Sequence, residues 1–149
     1  MVRLCKISVN HTDFKHVRSI RSKVFVQEQK VSAADEYDAF EFKSTHYLLK
    51  INGQPIGVAR SRKTHYGIKL ERFAILREFR GLGMGKKIVQ EVIKDVIKKS
   101  ENIYLHAQLP VVDFYSKLGF HAQGRLFSEA GIDHYKMVLQ LDGPVKYII

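Results

Sequence analysis

The sequence is short of acid, cysteine and long apolar runs, and each shortage closes off a class of function. Only 15 of its 149 residues are Asp or Glu against 25 Lys or Arg, a formal charge of +10. Such an excess fits a polyanionic partner, either nucleic acid or a small phosphate-bearing ligand, and a solvated basic surface also serves solubility. The basic residues are scattered, with modest clusters at Arg60-Ser61-Arg62-Lys63, Arg77 to Arg80, Lys86-Lys87 and Lys98-Lys99. None accompanies a recognised nucleic-acid motif, which disfavours that partner. The single cysteine, Cys5, excludes an internal disulfide framework and a Cys-rich metal site. Seven histidines are present, but no pair has H-x-x-x-H or H-E-x-x-H spacing, so no metal is expected. No apolar run approaches the ~20 residues of a membrane-spanning helix. Met1 to Lys6 lead straight into alternating strand-like sequence, without the apolar core of a signal peptide. A cytoplasmic protein with no membrane partner is the expectation.

No linker, repeat or low-complexity tract divides the chain, and its length suits one domain over residues 1–149 with a proper core. Val2, Leu4, Ile7 and Val9 alternate as in a strand. Thr12 and Asp13 offer caps to a helix carrying Phe14, Val17, Ile20, Val24 and Phe25 at helical spacing. Lys30 to Ser44 has no clean period and reads as a loop or irregular helix. Strands over Thr45–Ile51 and Gln54–Thr64 flank Asn52-Gly53, a hairpin signal. Lys69 to Leu76 is a further strand. A strongly amphipathic helix runs from Met84 to about Lys99, with Met84, Ile88, Val89, Val92, Ile93, Val96 and Ile97 as its apolar stripe and Asp95 among the residues facing water. Asn102 to Gln108 is a strand, Pro110 opens a helix stopped by Gly119, and strands over Phe120–Phe127 and His134–Leu141 flank a turn from Ser128 to Asp133. The order β-α-β-β-β-α-β-α-β-β predicts an α/β fold, a mixed sheet with helices on both faces.

The richest stretch is Arg80-Gly81-Leu82-Gly83-Met84-Gly85-Lys86-Lys87, between a strand and that amphipathic helix. Glycines there let the chain turn tightly and aim backbone N–H groups at an anion, most often a phosphate. A nucleotide-triphosphatase loop would need glycine where Arg80 stands and Ser or Thr where Lys87 stands. A dinucleotide fingerprint needs G-x-G-x-x-G and an acidic residue about 20 positions on; the glycines here run G-x-G-x-G, and the next strand ends in amides and apolar groups.

The spacing Arg-x-x-Gly-x-Gly after a strand resembles motif A of the GNAT (GCN5-related) N-acetyltransferases. Phe114-Tyr115-Ser116-Lys117-Leu118-Gly119-Phe120 is similar to the family's motif B. The segments Arg21 to Gln29, Glu71 to Ile75, His106-Ala107-Gln108 and Phe127 to His134 resemble small bacterial acetyltransferases of the ElaA/YjcF kind. The resemblance spans nearly the whole chain. It implies the GNAT fold, about seven strands with about four helices, and acetyl-coenzyme A as cosubstrate. It implies that Gly81, Leu82, Gly83, Met84, Gly85 and Lys86, with the Arg80 charge, hold the coenzyme's pyrophosphate. It also implies that the strand edge Phe73-Ala74-Ile75 pairs with the pantetheine arm, a backbone N–H there polarising the thioester carbonyl. Many members carry Asn late in the strand after motif A; here Gln108 stands there.

Within that resemblance, Tyr115 is placed to protonate the leaving thiolate, the alternative being a packing tyrosine beside Phe114. Glu71, two residues before Phe73, is a candidate base for the incoming amine or else an ion-pair partner of a nearby arginine. Glu28, His46, His106 and His134 are the other titratable candidates for the base and, with Arg72, candidates for the acceptor site, Arg60 and Arg62 being further lining arginines. The expected reaction is direct transfer from acetyl-coenzyme A to a primary amine on a small molecule or peptide. A non-catalytic acyl-coenzyme A-binding module is the alternative, and monomer and homodimer both stay open.

Overall fold

The computed structural model describes residues 1–99 and 102–140. The strands are β1 (Val2–Ile7), β2 (Thr45–Ile51), β3 (Gln54–Thr64), β4 (Gly67–Ile75), β5 (Ile103–Gln108), β6 (Phe120–Glu129) and β7 (Ile132–Leu139). The α-helices are α1 (Phe14–Arg21), α2 (Ala33–Glu36), α3 (Met84–Val96) and α4 (Val112–Ser116). The strands form one sheet in the order β1-β2-β3-β4-β5-β7-β6. This is the mixed sheet with helices on both faces that the element order predicts.

Asn52 and Gly53 have φ of 49° and 85°, the doubly left-handed turn that joins β2 to β3. On one face α3 lays Ile88, Val89, Val92 and Val96 against Tyr47, Leu49, Leu70 and Leu105. Each such fully buried aliphatic side chain contributes about 1.5–3 kcal/mol. On the other face Phe14, Val17, Ile20, Val24 and Phe25 pack on Leu48, Val58 and Ala74. Here the structure departs from a uniform helix. After Arg21 the chain widens into a π-helical segment, Ser22–Glu28, closed by Gln29 N–H donating to Val24 C=O. Asp13 precedes α1 but gives no side-chain cap, because its carboxylate accepts from Lys50 Nζ at 2.9 Å. Asp95 is likewise engaged, accepting the Tyr47 hydroxyl at 2.7 Å and pairing with Lys6.

The turn expected over Ser128–Asp133 narrows to Ala130-Gly131, and the pairing Ser128↔Asp133 belongs to the ladder. Pro110 lies in a 3₁₀ turn, Leu109–Val111, that leads into α4. The last strand ends at Leu139; Leu141 lies outside the described residues.

Two irregularities of β4 make room for a site. Val58 pairs Ala74 and Arg60 pairs Glu71, so Ala59 faces two residues, Arg72 and Phe73. This bulge holds Arg72 at φ 60°, a left-handed conformation uncommon for non-glycine residues. The second irregularity is the junction of β4 with β5, the sheet's one parallel pair among the described strands. Its register comprises Ile68↔Ile103, Lys69↔Tyr104 and Leu70↔Leu105, after which the two strands part.

Candidate active site

The fork between β4 and β5 opens into a cavity of about 500 Å³. Its walls include Phe73, Ala74 and Ile75 of β4, His106 and Gln108 of β5, Phe114 and Tyr115 of α4, and Glu129 and His134 of the β6–β7 hairpin. A second hollow of about 360 Å³ lies over the glycine loop and is lined by Arg80, Gly81, Gly83, Met84 and Lys86. Ile75, Gly85 and Phe114 border both hollows, so the two adjoin one another.

At the loop end Gly81 and Gly83 each have φ 80°, and a Cβ on either would meet no atom within 4 Å. Glycine is therefore required there by backbone conformation, and the loop surface stays open. Gly83 caps α3 without a side-chain hydrogen bond, and the first helical bond runs from Lys87 N–H to Gly83 C=O. The N–H groups of Met84, Gly85 and Lys86 thus precede the helical ladder at the positive end of its dipole, an anion cradle. Arg80 reaches back, Nε donating to Ile75 C=O at 2.9 Å and its two terminal nitrogens to the Glu28 carboxylate at 3.0 Å each. Glu28 is therefore not brought to the acceptor cavity; it stands beside the glycine loop, with Arg77 as a second partner.

Tyr115 is buried among aromatics, its ring centroid 5.0 Å from Phe114, 5.9 Å from Phe120 and 6.1 Å from Phe73. Burial pushes its phenol up, so the hydroxyl keeps its proton. Beyond the fork, the β5-facing edge of Phe73-Ala74-Ile75 has no strand partner among the described residues.

The far wall is dominated by charge pairs. Glu71 Oε2 accepts from Arg60 Nε at 2.7 Å and Arg62 Nε at 2.8 Å, and Lys69 Nζ lies 3.3 Å from Oε1. Burial raises the Glu71 carboxyl, but Arg60, Lys69 and Arg62 outweigh it and hold it below the usual range. Arg72 pairs with Glu36 and Asp38, and buried Arg60 also reaches Asp38 and Glu41. These acids come from the segment after α1, whose sequence is polar and acidic with no clean period and so gives no sign of their partners. His46 is not part of the cavity. It is buried, Nε2 on Glu41 C=O at 2.9 Å and its ring edge-on to Phe14, and burial pushes its imidazole down.

His106 and His134 do reach the cavity, joined by Glu129, a residue not among the sequence candidates. His106 Nδ1 lies 3.0 Å from Glu129 Oε1, and His134 Nε2 lies 3.9 Å from Oε2. The strand order β5-β7-β6 brings them together across 23 residues, which no local spacing signals. Gln108 Nε2 donates to Gln29 Oε1 at 2.8 Å, a bridge from β5 to the π-helical segment.

Known proteins resemble this chain in sequence and in fold. The chain is 37% identical over 135 residues to protein YyaT of Bacillus subtilis, spanning 87% of this chain and 90% of the relative. It is 35% identical to the N-acetyltransferase YjcF of the same organism, spanning 89% and 96%. The crystal structure of Escherichia coli ElaA superposes with a TM-score of 0.83 at 20% identity, over 94% of this chain and 100% of ElaA, and shares the fold. Residues 12–141 match the model of the acetyltransferase (GNAT) domain, so the chain belongs to the GNAT acetyltransferase family.

Proposed function

We propose that this chain transfers an acetyl group from acetyl-coenzyme A to a primary amine within a ternary complex. The observation that carries the reading is the pair of adjoining hollows that run from the glycine loop, along the unpaired edge of β4, to a cavity lined by Tyr115. The amides of Met84, Gly85 and Lys86 hold the pyrophosphate, with Arg80 and the Lys86 ammonium adding charge. The edge Phe73-Ala74-Ile75 presents unpaired backbone groups to an extended ligand arm. One such N–H, aimed at the thioester carbonyl, supplies oxyanion stabilisation commonly worth ~3 kcal/mol. Acetyl-coenzyme A brings the activated thioester, and Tyr115 donates its hydroxyl proton to the departing sulfur. Glu71, held by three cations, serves as their counter-charge in the wall rather than as a proton acceptor.

Calorimetric titration with acetyl-coenzyme A, followed by thiol-release assays over a panel of primary amines, tests the reading. Micromolar binding and amine-dependent thiol release are expected. Binding without turnover on any amine would favour a non-catalytic acyl-coenzyme A-binding module, and absence of binding would overturn both.

A further inference from the structure

The acceptor side of the cavity contains a histidine–carboxylate pair that the reading above leaves unused. Along β5, Ile103, Leu105 and Ala107 enter the core under α3. Alternation then places Tyr104, His106 and Gln108 on the opposite face of the sheet. α1 packs over β2, β3 and β4 on that face, so His106 borders the cavity at the fork itself. Tyr115 approaches the same fork from α4, whose neighbours belong to the other core. The fork thus has a titratable group on each side, a phenol and an imidazole.

The imidazole is oriented. Glu129 Oε1 accepts from His106 Nδ1 at 3.0 Å, which leaves the Nε2 lone pair free in the neutral ring. Phe127 sets the ring plane, edge-on at 4.9 Å. The hydrogen bond from His106, opposed by burial and reinforced by Lys69, holds the Glu129 carboxyl at about 2, so it remains an anion throughout the working pH range. His134 is the poorer proton acceptor by position. Its Nδ1 bonds Ile132 C=O at 2.7 Å, its ring stacks on Phe127, and its side chain is 7% exposed against 23% for His106.

We propose that His106 is the general base of the acetyl transfer, with Glu129 as the residue that positions it and fixes its tautomer. The proposal rests on the transfer reading above. One proton of the substrate ammonium passes to His106 Nε2 and on to solvent, and the freed nitrogen lone pair forms the C–N bond at the thioester carbonyl. The C–S bond then breaks, its electron pair stays on sulfur, and sulfur takes the Tyr115 hydroxyl proton. The second N–H proton of the adduct returns to Tyr115 through solvent, so the products are an amide, a free thiol and one released proton. Acceptors are accordingly aliphatic amines that arrive as ammonium ions.

The charged and titratable groups around His106 are Glu129 of β6, His134 and Lys136 of β7, and Lys69 and Glu71 of β4. The test is therefore made by substitution. Thiol release is measured over pH for the wild type, H106Q, E129Q, E129D and H134F, with coenzyme A binding followed by calorimetry in each. We expect H106Q to lower kcat about 100-fold at neutral pH and to abolish the acid limb of the kcat profile, with coenzyme A affinity unchanged. E129Q should lower kcat about tenfold and move that limb to more acid pH, with E129D restoring most of the rate; H134F should keep the limb. An H106Q enzyme with the wild-type rate and profile would overturn the base assignment and leave the transfer reading intact. Should the wild type acetylate no amine while binding coenzyme A, both fall together.

Discussion

At the scale of single residues, the site separates groups whose protons can move from groups whose charges are pinned. Tyr115 has three aromatic neighbours and keeps its proton; Glu71 has three cationic neighbours and gives its proton up well below neutrality. The sequence offers both as catalytic candidates and cannot tell them apart, because their surroundings come from distant strands. Replacing Tyr115 by Phe keeps the packing and removes only the hydroxyl, the acid of the proposed transfer. The expected result is a kcat lower by roughly 10- to 100-fold with the KM for acetyl-coenzyme A unchanged, measured by steady-state thiol release. An unchanged kcat would assign the proton to solvent.

At the scale of elements, the segment between α1 and β2 is fastened by charge rather than by apolar packing. Arg60 projects from β3 into three carboxylates, Asp38 and Glu41 of that segment and Glu71 of β4, with its own side chain 0% exposed. Removing the guanidinium takes from these three acids their shared, fully buried counter-ion and leaves Arg21, Arg62, Lys69 and Arg72 to balance them. Arg60→Met is expected to cost about 3–5 kcal/mol of stability in urea unfolding, far beyond what a surface ion pair would cost. A loss under ~1 kcal/mol would mean that Arg21 and Arg72 take over its partners.

The same fastening predicts acid sensitivity. Burial raises the Asp38 carboxyl, but the Arg60 hydrogen bond and charge outweigh that and bring it from 3.8 to about 2. A carboxyl depressed in the folded state stabilises fully above its unfolded value and loses that contribution as pH falls through the folded one. Asp38 therefore stabilises above about pH 4, and its contribution disappears towards pH 2. Glu36 runs the other way, since burial outweighs Arg72 and Arg21 and raises it, so its contribution falls as pH rises through its folded value. Hydrogen exchange of residues 33–44, taken as protection relative to the intrinsic rate at each pH, would show the Asp38 behaviour as falling protection below pH 4; constant protection to pH 2 would contradict it. The sequence does not show these pairs, because the acids have no period and their partners lie in β3 and β4. By contrast the hairpin at Asn52-Gly53 and the stripe of α3 are legible, since a two-residue turn and a 3.6-residue repeat are local signals. The π-helical widening after Arg21 and the left-handed Arg72 leave no such trace.

At the scale of the whole molecule, the hollow over the glycine loop is lined, apart from Phe114, by the stretch Ile75 to Lys86, and the larger cavity is assembled from the segment after α1, β4, β5, α4 and the β6–β7 hairpin. This explains why the glycine loop stands out in local spacing while Glu129 and the Gln29–Gln108 bridge do not. The formal charge of +10 gives the molecule a field that attracts a polyphosphate ligand over several ångströms. Raising the salt from 50 to 200 mM is expected to slow acetyl-coenzyme A association by several-fold and to leave its dissociation rate nearly unchanged, as stopped-flow titration would report. Salt-independent association would confine the attraction to short-range contacts within the glycine loop.

The fork between β4 and β5 has a further consequence for the life of the chain in a crowded solution. A strand with unpaired backbone groups is normally a hazard, since any neighbouring chain can add to it and seed aggregates. Here that edge faces inward, between the wall of Phe25, Gln29 and Val31 on one side and Phe114 and Tyr115 on the other. A slender, extended small molecule can slide along it; a second polypeptide, with its own side chains to accommodate, meets the walls first. The protein thus keeps an adhesive strand at its centre while presenting no such surface there to its neighbours.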